Sequence, residues 1–403
     1  MTHSDVYLQS RQRTAAIFAS IRTGHERERP IPLRHPFVFY VGHIPTFSFL
    51  TLNRRVYHEP AINATFEKLF ERGIDPSLSS DASETTRTDW PSHNEIQSFV
   101  KRYDARVLAA LERVDSEPSA LAHLAAGTLL EHEFMHQETL LYIVNALDHS
   151  MKSARVSDHR TAGRPVNGMR HIPAGEAHLG MASDGAFAWD NERDPHSIAC
   201  KEFWMQRYAV SNGDWLAFVA QGGPVPHFWE RQGHSWMLRC TYESIPLPLS
   251  WPVYVTQRQA SAYAAFYSMR LPSEPEFHRA AYGDSLQQYP WGAESPTSKH
   301  ANVGFRRYDP EGVDVHPLSA SQFGIEGLVG NGWEWTSTPF EPFDGFTPMP
   351  TYPRYSADFF DGEHFVCKGG SPITDPSLLR PSFRNWFYAD YPYAYVKFRC
   401  VAA

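Results

Sequence analysis

Two histidines stand one helical turn apart in Glu131-His132-Glu133-Phe134-Met135-His136. Residues at i and i+4 of a helix share a face, so both imidazoles can grip one cation. The surrounding stretch is apolar, with Leu129, Leu130, Leu140 and Leu141. Burying two polar rings there is costly unless they serve a purpose. The spacing therefore predicts two ligands of a metal centre. A third ligand is needed. His43, at the end of Phe37-Val38-Phe39-Tyr40-Val41-Gly42-His43, is the best upstream candidate, with His35 and His58 as rivals. Three neutral nitrogens suit Zn, Cu or Fe(II), and geometry must choose among them.

His132-Glu133-x-x-His136 also matches the zinc metalloprotease pattern, in which the Glu is general base. The extended form of that pattern needs a Gly and a third His downstream. After His136 the chain reads Gln137-Glu138-Thr139-Leu140-Leu141-Tyr142 and has neither. A short motif is a weak signal, so the protease stands as an alternative.

These histidines need long helices to hold them, and residues 1–155 read as helical. Apolar positions recur at helical spacing over 6–24. Ser92 with Glu95 three residues later makes a capping box, and Ile96, Phe99, Val100, Tyr103, Val107, Leu108 and Leu111 mark one apolar face after it. A further helix is expected from Ser119 to Leu147. Composition shifts over 156–168, which reads as a linker with Gly163, Pro165 and Gly168. Over 169–403, Gly, Pro and Trp recur, and only Arg258–Met269 and Glu274–Tyr282 have helical length. Short strands and long loops are expected there.

The chain has 403 residues, which favours two domains. It is 42% hydrophobic, 20% charged and 14% aromatic, as in a globular enzyme with aromatic-lined clefts. A net charge of -8 without long runs argues against a nucleic-acid partner. No apolar run is long enough to span a membrane, and the N-terminus lacks a signal-peptide pattern. Cys200, Cys240, Cys367 and Cys400 are far apart, so the expected compartment is a reducing cytoplasm.

Four stretches in order resemble the nonheme-iron sulfoxide synthases of ergothioneine and ovothiol biosynthesis. They are Pro32-Leu33-Arg34-His35-Pro36 through Gly42-His43, then His132-x-x-x-His136-x-Glu138, then Gly330-Asn331-Gly332-Trp333-Glu334-Trp335-Thr336, and last Arg380-Pro381-Ser382-Phe383-Arg384-Asn385-Trp386 with Phe398-Arg399. The resemblance implies an α+β chain: an N-terminal DinB-like four-helix bundle, then a formylglycine-generating-enzyme-like (FGE-sulfatase, C-type-lectin-like) domain. It implies Fe(II) held by His43, His132 and His136, with O2 as co-substrate. It places a proton-donating tyrosine near the iron, and Tyr352-Pro353-Arg354-Tyr355-Ser356 offers Tyr352 first and Tyr355 second. It makes Arg384, Asn385, Trp386 and Phe387 candidate substrate contacts, through ion pairing for Arg384 and aromatic contact with a quaternary ammonium for Trp386. Related domains hold Ca2+, for which Asn331 and Asn302 are candidates.

One departure bears on the sulfur donor. The family branch that uses gamma-glutamylcysteine carries Asn-Trp-Asp, whose Asp holds the thiol substrate's amine, where this chain has Asn385-Trp386-Phe387. A phenyl ring cannot pair with an ammonium as a carboxylate does, which favours free cysteine or another sulfur donor over gamma-glutamylcysteine. Ile245-Pro246-Leu247-Pro248-Leu249-Ser250-Trp251-Pro252 and the C-terminal tyrosines look more like the ovothiol branch. The acceptor imidazole is thus that of histidine or of its trimethyl betaine, hercynine. Formylglycine generation is disfavoured, because Gly369-Gly370-Ser371 is followed by Pro372-Ile373-Thr374-Asp375 with no cysteine. A non-catalytic binding module is the remaining alternative.

Overall fold

Helix α1 begins where Thr2 and Asp5 cap it reciprocally, and it runs over His3–Phe18. It stops short of the expected residue 24 because the chain beyond it pairs elsewhere: Arg22 N donates to Met151 O and Ser153 N to Ser20 O. In the computed structural model the described residues are 1–71, 89–153, 165–182, 186–285 and 287–402. The expected linker lies outside them as far as residue 164. By internal contacts the chain divides into two units, Met1–Arg155 with Pro350–Tyr352, and Val156–Met349 with Pro353–Ala403.

The first unit is helical. Helix α2 covers Phe37–Phe49, and a π turn over Leu50–Arg54 extends it. Helix α3 is Ala64–Phe70, capped by Asn63. Helix α4, His93–Ser116, starts at the expected Ser92–Glu95 box. Helix α5, Ala120–Ala146, is capped by the Ser119 side chain. Residues on nearly every side of α5 are buried, as expected of a central helix enclosed by neighbours. Helices α1, α2 and α4 all pack against it. None of the described helices is long and apolar enough to cross a membrane.

The second unit mixes short strands with helices α6 (Asn212–Val219), α7 (Gln257–Phe266) and α8 (Glu274–Tyr282). Helix α6 was not expected, although Ser211 and Asp214 form its capping box. One four-stranded sheet orders Asn385–Tyr388, His364–Lys368, Trp333–Pro339 and Val396–Lys397. A second orders Met169–Ile172, Phe203–Gln206, Val401–Ala402 and Met269–Arg270. The core between elements of this unit includes Ile172, Met205, Phe277, Ile325, Leu328 and Val401.

The two C-terminal signature stretches meet as a buried ionic knot. Arg399 donates to both Glu334 oxygens at 2.7 and 2.6 Å. Lys397 Nζ lies 3.3 Å from Glu334 and donates to the carbonyls of Gly327, Gly330 and Gly332. Gly332 has φ +124, and a side chain there would strike the Tyr254 ring at 2.8 Å. The glycine-rich run is therefore shaped by the close approach it must make. Asn331, a Ca2+ candidate, spends its side-chain oxygen on Asn302 Nδ2 and Glu311 N, and its amide donates to Glu311 O. Asn302 also donates to Asp309 O. These amides brace the loop with their own hydrogen bonds.

Candidate metal centre

Helix α5 presents His132 and His136 on one face and Glu133 on another. His132 Nε2 and His136 Nε2 are 3.1 Å apart. Glu133 and Gln137 are turned toward α1. Glu133 accepts from Thr14 at 2.5 Å and from Arg11 at 3.1 Å, and Gln137 donates to Ser10 and Thr14. Burial raises the Glu133 carboxyl pKa, with Arg11 and Thr14 opposing that rise. A general base must reach the reacting water, and Glu133 is instead engaged by Thr14 and Arg11 of α1. This removes the observation on which the protease alternative rested.

His43 arrives from α2. Its Nε2 lies 3.2 Å from His136 Nε2, and the three ligand atoms all fall within 4.8 Å of one another. Among the described residues this is the one cluster of His, Cys, Asp or Glu with metal-binding proximity, and neither His35 nor His58 joins it. The orientation of His43 has a local cause. Its Nδ1 donates to the Phe70 carbonyl at 2.7 Å, because a carbonyl can only accept. That leaves the Nε2 lone pair facing the cluster. Phe70 comes this close because Gly42 has no side chain: a Cβ there would sit 2.6 Å from the Phe70 ring. The Gly42-His43 pair of the sequence is thus a single device.

Aromatic rings wall the centre. Phe47 stacks on His132 at 3.5 Å and 9°, and Phe39 on His43 at 5.0 Å and 18°. The Tyr40 ring stands 5.6 Å from that of His136. Phe39, His43 and Phe47 lie at i, i+4 and i+8 of one helix, so sequence spacing carried this signal.

Burial pushes all three imidazoles toward neutrality. The pKa of His43 falls to about 4. Those of His132 and His136 fall well below the ordinary value, with neighbouring imidazoles adding to the effect. Neutral nitrogens are what a metal requires. At a metal–nitrogen distance of about 2.1 Å, donors 3.1 to 3.2 Å apart subtend roughly 95–99°. Two of the three donor pairs are thus spaced for one ion to bridge them, and the third lies within 4.8 Å. The residues present fit a metal ion.

Tyr352 belongs to the same unit. Its ring is 6.2 Å from His132 and 5.0 Å from Phe47. Tyr355 belongs to the second unit, where it stacks on Trp189 at 3.8 Å and meets Trp386 edge-on at 5.1 Å. Trp386 in turn stacks on Phe340 at 4.1 Å and 9°. Phe387 stacks on Tyr391 at 5.7 Å and 2°. Asn385 Oδ1 accepts from Trp386 N at 2.9 Å. Arg384 is buried and committed to Glu274 at 3.0 and 3.2 Å, with a further bond to Glu341 O. An incoming carboxylate would have to compete with Glu274 for that guanidinium.

Residues 154–403 match the family model described as the sulfatase-modifying factor enzyme 1-like domain. The chain is 36% identical over 313 residues to the hercynine oxygenase of Mycobacterium tuberculosis, covering 71% of this chain and 72% of that protein. It is 33% identical over 399 residues to the hercynine oxygenase of Mycolicibacterium thermoresistibile, covering 90% and 85%. Ergothioneine biosynthesis protein 1 of Neurospora crassa is 27% identical over 486 residues, and this chain spans 54% of its length.

Proposed function

The chain belongs to the hercynine oxygenase family, with the sulfatase-modifying factor enzyme 1-like domain over 154–403, and from that premise we propose an O2-dependent sulfoxide synthase of ergothioneine biosynthesis. It joins the sulfur of a thiol to the imidazole ring of hercynine. The observation that carries this reading is the convergence of three neutral imidazole nitrogens beside a tyrosine. The helical unit is read as the DinB-like bundle and the compartment as the cytoplasm.

His43, His132 and His136 would hold Fe(II). Zinc has no redox chemistry, whereas bound iron supplies the electrons that activate O2. The three neutral imidazoles would leave the charge of a bound Fe(II) uncompensated, which would favour a substrate thiol arriving as its thiolate. Phe39, Tyr40 and Phe47 keep water from the histidine cluster. Tyr352 offers a phenol proton to reduced oxygen from beside His132. The aromatic group of Tyr355, Trp386, Trp189 and Phe340 presents π faces of the kind that hold a quaternary ammonium. Asn385, next to Trp386 in the chain, is a further proposed substrate contact, whereas Arg384 would reach a substrate carboxylate only by giving up Glu274. Phe387 leaves no carboxylate for the amine of gamma-glutamylcysteine, so cysteine is the proposed sulfur donor.

The test is anaerobic Fe(II) loading followed by O2, cysteine or gamma-glutamylcysteine, and hercynine or histidine, read by product mass. The expected product is the sulfoxide of hercynine and cysteine. A sulfoxide from gamma-glutamylcysteine alone would overturn the donor assignment, and no sulfoxide from any pair would overturn the function.

A further inference from the structure

We propose that Thr128 and Arg55 form a latch that fixes the Pro350–Tyr352 segment and sets where the Tyr352 phenol stands. The inference rests on the oxygenase reading only for what Tyr352 does there. Thr128, His132 and His136 are at i, i+4 and i+8 of α5, so they lie on one face. Thr128 and Thr351 are both buried, and their hydroxyl oxygens are 2.8 Å apart. Thr128 gives its single proton to Leu124 O at 2.7 Å. Its oxygen can then only accept, so the Thr351 hydroxyl donates to it. The Thr351 carbonyl meanwhile accepts from the Arg55 guanidinium.

Thr351 immediately precedes Tyr352 and is held at both its side chain and its backbone. Each holder lies in, or directly after, a helical stretch that carries a metal-site histidine. Thr128 is one turn before His132. Arg55 directly follows the Leu50–Arg54 π turn that extends the His43 helix. A π turn takes one more residue than an α turn, changing the direction in which the next side chain leaves. Such turns recur at functional sites. Two helices that would fix the metal thus also fix the residue next to the proposed proton donor. Both residues act through Tyr352, so they are positioning residues.

The test compares Thr128→Val, which keeps the shape and loses the hydroxyl, with Thr128→Ser, which restores it. Small misplacements near a reaction centre cost up to about 100-fold in rate. Thr128→Val is expected to bind iron normally, keep its KM and lose roughly tenfold or more in kcat. Thr128→Ser should recover to within about twofold. In a Tyr352→Phe background Thr128→Val should cost nothing further, because both changes act on one group. A readout independent of turnover is 19F NMR of 3-fluorotyrosine placed at position 352 in the metal-free protein. Wild type and Thr128→Ser should give one narrow line, and Thr128→Val a broadened or split one. An unchanged kcat and line in Thr128→Val, or an equal loss in both backgrounds, would overturn the latch. If the wild type makes no sulfoxide, the oxygenase reading falls by itself, and the 19F spectra still decide whether the latch exists.

Discussion

Two buried clusters of polar side chains, one in each unit, follow opposite rules. In the knot around Glu334 every group has a partner from the chain. Arg399 holds the carboxylate bidentately, and its remaining donors reach the carbonyls of Glu326, Arg207 and Gln206. Burial would raise the Glu334 pKa, but Arg399 and Lys397 hold it below the usual value. In the histidine cluster three Nε2 atoms face one another, and the Nδ1 atoms of His132 and His136 have no protein partner among the described residues. A saturated network excludes a ligand and specifies architecture, whereas converging lone pairs call for an ion between them. The C-terminal signature stretches thus build a saturated structural knot, whereas the histidines of the helical unit leave their Nε2 atoms converging on one point.

The sharpest way to break this contrast is His132→Ala or His136→Ala. Turnover should fall by about 1,000-fold or more, because the open metal face is lost. The denaturant midpoint of the metal-free protein should stay or rise, since an unfavourably buried ring has gone. A large drop in metal-free stability would make the histidines structural. Glu334→Ala should behave the other way. Leaving Arg399 buried without its counter-charge costs about 3–5 kcal/mol, visible in the same denaturant titration, while iron bound per folded chain is unchanged. A neutral Glu334→Ala would erase the comparison.

Acid provides a milder probe. The pKa of His43 lies near 4 in the fold because of burial, against 6.5 for an ordinary imidazole. A depressed histidine pKa means the unfolded chain takes up protons that the native chain refuses. The His43 contribution to metal-free stability should therefore be constant above about pH 6.5 and turn unfavourable toward pH 4. Denaturant titrations at several pH values check the slope, and His43→Ala should reduce it. The smallest effect is expected from Glu133→Gln. Folded enzyme should keep turnover within about threefold, against the 100- to 10,000-fold loss typical of removing a general base. Stability is expected to fall, because the Arg11 partner is weakened.

Much of the helical unit was legible, because caps and periodicity are local. The Ser92 box and the Ser119 start appear where the side chains predicted them, and α8 has the expected bounds. The end of α1 was not legible, because it depends on pairing with residues 151–153. The histidine triad followed from helical spacing plus a family resemblance. Spacing could not show that Glu133 faces Arg11, since the direction of a side chain depends on which neighbour covers it. Nor could it bring Tyr352 beside His132 across more than 200 residues of chain. The order Tyr352 before Tyr355 rests on resemblance; in the fold one ring adjoins the histidines and the other stacks on Trp189. Arg384 shows the converse, since a guanidinium suited to a substrate carboxylate is engaged by Glu274.

The most direct test of the account is iron binding by the three histidines. Wild type and the His43→Ala, His132→Ala and His136→Ala variants are loaded with Fe(II) without oxygen, desalted and analysed for metal. About one iron per chain is expected in the wild type and almost none in each variant, with folding intact by circular dichroism. Wild-type iron content in all three variants would contradict it.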